Sequence, residues 1–248
     1  MVNQHTLSLI LFILIAFSIS CNNQKNADVQ NDPGYFNNPL VEKVTTAEEQ
    51  RLLSPDTILQ RLKDGNKRFT ENNITARDHS KLVRATAGGQ YPKSVVLSCL
   101  DSRIPVEDVF DKGIGDMFVA RNAGNIMNDD VLGSMEFACK VSGAKLILVM
   151  GHSSCGAVKS AIDDVKMGNI TAMLAKIKPA VALSENFAGE KNSKNEMYTN
   201  VVGKNNVLHT LETIKQRSPI LKEMLDKGEI KMAGAFYDIK SGAVTFLE

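Results

Sequence analysis

Net charge is what this sequence has least of. Its 248 residues carry 29 Lys and Arg against 28 Asp and Glu, a formal +1 at pH 7, so it has no broad field to gather nucleic acid or an anionic membrane. Long apolar runs are scarce too. The run at residues 6–20, TLSLILFILIAFSIS, falls short of the roughly 20 residues that a membrane span needs. Internal repeats are missing, and the low-complexity character is confined to an Asn-, Asp-, Pro- and Gln-rich stretch at residues 22–42. Trp is absent altogether. A small, neutral or singly charged substrate suits such a chain better than a polyanion, and no nucleic-acid partner is expected.

The apolar run ends in small residues directly before Cys21, so residues 1–20 read as an export signal. Because Cys21 follows Ser20 at once, the segment also resembles a bacterial lipoprotein signal, in which that Cys becomes the lipidated first residue. It departs from the pattern in two places: MVNQH lacks Lys and Arg, and Ser18 stands where Leu is usual. Residues 21–45 then form a flexible tether, and residues 46–248 a single catalytic domain of roughly 200 residues, large enough to bury about 70% of its unfolded surface. The expected location is exported, periplasmic and held to a membrane through the lipid.

Four cysteines in an exported chain would ordinarily pair. Cys21 is taken by the lipidation reading, and Cys139 lies in a helical pattern that makes it a small buried hydrophobe. Cys99 and Cys155 remain.

Periodicity predicts an α/β fold with a mostly parallel central sheet flanked by helices and closed by a C-terminal antiparallel edge hairpin. Ser54-Pro55 followed by apolar residues at 58, 59, 62 and 69 predicts a helix over residues 55–71, and residues 72–90 read as a loop with a short helix. Apolar runs at 94–97, 117–120 and 145–150 lack polar alternation, as strands buried on both faces do. Helical stretches at 106–111, 129–141 and 156–167 separate or follow them, and further helices are expected at 170–186, 198–216 and 219–227. Strands at 230–237 and 243–247 flank the turn at residues 240–242.

Ligands of an open parallel sheet gather beyond the carboxyl ends of its strands. The first apolar run leads into Cys99-Leu100-Asp101-Ser102-Arg103 and the third into His152-Ser153-Ser154-Cys155-Gly156. Two thiolates and one imidazole make a tetrahedral zinc site with one position open, the pattern of a catalytic metal. Asp101 fills that position or releases it to water. A Cys99–Cys155 disulfide beside a core His152 is the structural alternative.

At these residues the chain resembles the beta-class carbonic anhydrases. SCLDSRIPVEDVFDKGIGDMFVARNAGNI (98–126) and GHSSCGAV (151–158) carry the resemblance, supported by GAFYDIKSGAVTFL (234–247) and SPDTILQRLKDGNKRF (54–69). It implies one zinc per chain on Cys99, His152 and Cys155, joined by Asp101 in a closed form only. The implied reaction is reversible hydration of carbon dioxide to bicarbonate and a proton by zinc-bound hydroxide, with Asp101 and Arg103 as the catalytic dyad. Gln90, Phe118 and Gly156 fall where plant-type members line the substrate pocket, and Phe137 replaces their usual Tyr. Members regulated by bicarbonate have a Trp near Val96, so no such regulation is expected, although Arg121 keeps its place. Family pockets lie between subunits, which implies a homodimer or tetramer. Hydrolysis of carbon disulfide or carbonyl sulfide on the same site, and a non-catalytic zinc-binding lipoprotein, are the alternatives.

Overall fold

The computed structural model describes residues 43–247. Five strands form one sheet in the order β2-β1-β3-β4-β5. Strands β1 (Ser94–Cys99) and β3 (Leu146–His152) are buried at every position, as their apolar runs Val95–Leu97 and Leu146–Met150 favour, and they carry Ser94, Ser98 and His152 into the interior with them. They pair in parallel with each other, with β2 (Met117–Asn122) on one side and with β4 (Lys231–Tyr237) on the other. Only β5 (Val244–Leu247) runs antiparallel, closing the expected hairpin against β4.

Both faces of the sheet are covered. Helix α2 (Pro55–Thr70) starts on Ser54, whose hydroxyl accepts from the Thr57 N–H, with Pro55 in the first turn where its missing donor costs nothing. Its Ile58 and Leu62 pack with Val96, Leu148, Met150 and Val158 on one face. Gly65 lets α2 approach helix α4 (Val106–Val109) closely, since a Cβ there would stand 1.9 Å from the Phe110 carbonyl oxygen. The other face joins Val95, Leu97, Ile147 and Val149 to Leu132 and Met135 of α5 (Asp129–Glu136). Val207 and Ile214 of α9 (Glu196–Arg217) and Leu221 of α10 (Pro219–Asp226) complete that layer.

Several helices differ from the sequence reading for local reasons. Helix α1 (Ala47–Leu52) was not anticipated, although Thr46 and Glu49 form a full capping box that announces it. Helix α3 (His79–Thr86), capped by Asp78, is the short helix within the polar stretch. The expected helix over 170–186 is two helices, α7 (Gly168–Ala175) and α8 (Lys178–Ala182), because Pro179 cannot continue α7 but is tolerated in the first turn of α8. Helix α6 (Gly156–Ile162) ends sooner than expected, with Asp164 turning to φ +55°. The helix over 129–141 changes pitch at Phe137–Val141, which winds as a π-helix.

Candidate metal centre

Parallel pairing of β1 with β3 brings their carboxyl ends together and delivers Cys99 and His152 to one edge; Cys155 follows at the start of α6. The three ligand atoms lie within 4.8 Å of one another, and all three residues are buried. The two sulfurs are 4.0 Å apart. That is about twice a disulfide length of ~2.05 Å, so the disulfide alternative fails. It is close to the ~3.8 Å that two Zn–S bonds of about 2.3 Å subtend at a tetrahedral angle.

His152 supplies the clearest test of fit. Its Nδ1 lies 2.9 Å from the Ser153 carbonyl oxygen. A carbonyl only accepts, so Nδ1 carries the proton and Nε2 the lone pair. Nε2 is buried without a hydrogen-bond partner among the described residues. A buried acceptor left empty beside two sulfurs matches a soft divalent ion such as zinc. The Ser153 carbonyl is itself fixed: the Ser153 N–H donates to the Tyr237 carbonyl at 2.9 Å, and its Oγ accepts from the Ile239 N–H at 2.9 Å. Strand β4 and the closing hairpin thus orient the imidazole.

The thiols titrate as a pair. Cys99 is drawn below the ordinary thiol range, chiefly by the hydrogen bond from Cys155, with the Gly124 N–H adding to it against the opposing effect of burial. The same bond and burial push Cys155 up, while the backbone N–H groups of Ala157 and Val158 pull it down. Cys139, buried elsewhere with no partner to stabilise a thiolate, is pushed up to about 12, as expected of an inert core cysteine.

Asp101 is turned onto Arg103. Arg103 Nε donates to Oδ1 at 2.9 Å, Nη2 to Oδ2 at 2.8 Å, and the Arg103 backbone N–H to Oδ1 at 3.0 Å. This fork holds the carboxyl at about 2 despite partial burial. Arg121 braces the turn from beneath, donating through Nε to the Cys99 carbonyl at 3.0 Å and through Nη2 to the Asp101 carbonyl at 2.6 Å.

Two further supports had no local signal. The Gly124 N–H donates to Cys99 Sγ at 3.3 Å, from a turn where Gly124 sits at φ +74° and a Cβ would stand 2.6 Å from Ile177 Cδ1. Asn206, buried in α9, holds that turn by donating to the Gly124 carbonyl at 2.8 Å.

The remaining expected site residues are placed differently. Gly156 is exposed beside Cys155, where an added Cβ would meet nothing within 4 Å. Phe118 and Phe137 line a separate cavity of about 750 Å³ with Val95, Ala120 and Gly133, along the free edge of β2. Gln90 is exposed before the amino end of β1, the edge away from Cys99. Ile104, three residues past Asp101, is fully buried core. Cys21 and the rest of residues 1–42 lie outside the described residues.

A buried Cys-His-Cys group at the carboxyl edge of a parallel sheet, beside a forked Asp-Arg pair, defines a zinc enzyme of the α/β class. Residues 94–244 match the family described as carbonic anhydrase. Carbonic anhydrase 2 of Mycobacterium tuberculosis is 32% identical over 195 residues, covering 76% of this chain and 91% of that protein. The carbonic anhydrase of Mycolicibacterium smegmatis is 34% identical over 197 residues, covering 77% and 92%. Among solved structures, the beta-carbonic anhydrase CcaA superposes with a TM-score of 0.61 at 27% identity, covering 77% and 92%. One of two tetrameric beta-carbonic anhydrases from Sordaria macrospora shares the fold, with a TM-score of 0.61 at 23% identity, covering 77% and 97%. The chain belongs to the beta-class carbonic anhydrase family, and it is a lyase that catalyses the zinc-dependent hydration of carbon dioxide.

Proposed function

We propose that Cys99, His152 and Cys155 hold the zinc, and that Asp101, set by Arg103, orients the nucleophile in carbon dioxide hydration. The observation that carries this is the two-pronged Arg103–Asp101 bond, 2.9 and 2.8 Å to the two carboxylate oxygens. Zinc held there supplies Lewis acidity, which makes water nucleophilic near neutral pH. Arg103 occupies both oxygens of Asp101 and so keeps the carboxylate from joining Cys99, His152 and Cys155, which would hold the ion. With a pKa of about 2, Asp101 is too weak a base to keep a proton at neutral pH. It would act instead as a hydrogen-bond acceptor that orients the nucleophile toward the substrate carbon. The open space at Gly156 leaves room for carbon dioxide beside the metal. Arg103→Lys keeps the charge and loses the fork; turnover should fall about a hundredfold with zinc content unchanged. Wild-type turnover in that variant would remove the pair from the reaction.

The working unit in this reading is an oligomer. Phe118, in the edge strand β2, and Phe137, 52% exposed after α5, line one cavity away from the metal ligands, so these two side chains and Gln90 serve a substrate pocket only across a subunit contact. The tetramers of the Sordaria protein support this arrangement. Sedimentation of the wild type as a monomer would contradict it.

The location we infer is outside the cytoplasm, with a lipid on Cys21. Support comes from the apolar run at 6–20, the small residues before Cys21 and the polar stretch at 22–42. No helix among the described residues is long and apolar enough to cross a membrane. The mass of the mature N-terminus tests this: a diacylated Cys21 is expected, and an intact Met1 would refute it.

A further inference from the structure

The edge of the sheet opposite the metal holds a second cavity, of about 510 Å³, whose charged lining includes Arg61, Arg68, Lys93, Asp111, Lys112 and Asp116. Lys93 immediately precedes β1 and Asp116 immediately precedes β2, so this cavity sits at the amino ends of the strands that carry Cys99 and Asn122 at their carboxyl ends. Six residues of strand at ~3.3 Å each put roughly 20 Å between the two edges.

The carboxylates here are already engaged. Asp111 accepts from Arg68 Nε and Arg77 Nη2, each at 2.6 Å, and from the Thr75 N–H and Oγ1 at 2.9 and 2.7 Å. Asp116 pairs with Lys93 and accepts from the Gly113 N–H at 3.1 Å. Lys112 has no share in either. Among the described residues its Nζ makes one long hydrogen bond, 3.3 Å to the Arg61 carbonyl, and no ion pair. Arg61 likewise has no ion pair among the described residues. The cavity therefore contains a half-buried amine that shares it with Lys93 and Arg68 and with two carboxylates, Asp111 and Asp116, already engaged by other partners.

We propose that Lys112 reversibly forms a carbamate with carbon dioxide in this cavity. The reactive form is the neutral amine, which this setting favours: burial first, then Lys93 and Arg68, push the Lys112 ammonium down to about 8, against the pull of Asp116 and Asp111. The ammonium first gives a proton to water. The Nζ lone pair then forms an N–C bond to carbon dioxide, one C=O π pair moves onto oxygen, and a second proton leaves nitrogen for solvent. Carbon dioxide is small and uncharged, so entering the cavity costs it little desolvation. The product places a carboxylate where a cation lacked a partner, within reach of the Arg61 segment and the Arg68 and Lys93 charges. Protonation of nitrogen reverses the step, so occupancy follows carbon dioxide and pH. The inference takes from the hydration activity only that carbon dioxide is at hand, and externally supplied gas makes its test independent of turnover.

The test equilibrates zinc-loaded wild-type protein with isotopically labelled carbon dioxide just above the Lys112 pKa, traps carboxylated amines with a trialkyloxonium reagent and maps them by peptide mass spectrometry. Lowering an amine pKa from 10.5 to about 8 raises its neutral fraction roughly a hundredfold near neutral pH. Label at Lys112 should therefore exceed that at the exposed Lys63 and Lys67 by at least about tenfold. It should vanish in Lys112→Arg and diminish in Arg61→Gln. Label at Lys112 no greater than at Lys63 and Lys67 would overturn the proposal, and the wild-type map decides this even if a variant fails to fold. Binding of inorganic phosphate in the cavity with no label on Lys112 would also overturn it, reducing the feature to a simple anion site.

Discussion

At the carboxyl ends of β1 and β3, His152 Nε2 and two thiol sulfurs face one another, and the imidazole nitrogen has no protein partner. At the amino ends of β1 and β2, both oxygens of Asp111 are taken up by Arg68, Arg77 and Thr75, and Asp116 holds Lys93. Both clusters are buried polar groups on one sheet, and both are costly to desolvate. The first is left short of partners, which is stable only if a ligand from outside completes it. The carboxylates of the second find their counter-charges within the fold, and Asp111 fastens the segment around Thr75 to the turn after α4. Unsatisfied valence separates a site from a structural clasp.

The comparison breaks most sharply at a ligand. Cys155→Ser should release zinc and reduce carbon dioxide hydration to background while the fold survives, because β3 and α6 pack through other residues; retained zinc by metal analysis would mean that the three side chains are not the whole site. At the other end, Asp111→Asn should leave hydration per folded molecule unchanged but cost about 3 kcal/mol in denaturant unfolding, since it removes a buried negative charge that Arg68, Arg77 and Thr75 all donate to. The pH dependence has a definite sign. Burial would raise the Asp111 pKa, but the hydrogen bonds from Thr75, Arg68 and Arg77 outweigh it and hold the carboxyl at about 2 against an ordinary 3.8. A depressed folded-state value contributes stability that is full above 3.8 and is lost as pH falls through about 2. Wild-type unfolding free energy should therefore drop across that interval by an increment that Asp111→Asn lacks.

The smallest effect is expected at Asn206. Asn206→Ala frees the Gly124 turn and weakens the N–H bond to Cys99, so zinc should bind about tenfold more weakly in a chelator competition, with turnover of the loaded enzyme little changed. An unaltered zinc affinity would place Asn206 in packing alone.

Much of the metal end was legible because its ligands follow apolar runs. Cys99 and His152 stand at the ends of strands that the sequence marks by unbroken burial, and pairing those strands in parallel leaves their carboxyl ends side by side. Asp101 and Arg103 are two residues apart, so their fork is local. Illegible were contacts that only folding creates. Asn206 reaches Gly124 from 82 residues away, and Arg68 reaches Asp111 from 43. Neither carries a spacing that announces the partner. The split of the 170–186 helix is readable from Pro179, a signal one residue deep that periodicity outweighs, and α1 from the Thr46 and Glu49 capping box.

Zinc-edge X-ray absorption on the purified protein tests the central claim most directly. The account predicts one zinc per chain with two sulfur and two nitrogen or oxygen neighbours, and loss of one sulfur or of the metal itself in Cys155→Ser. A chain that binds no zinc, or a shell with no sulfur or with four, would contradict it.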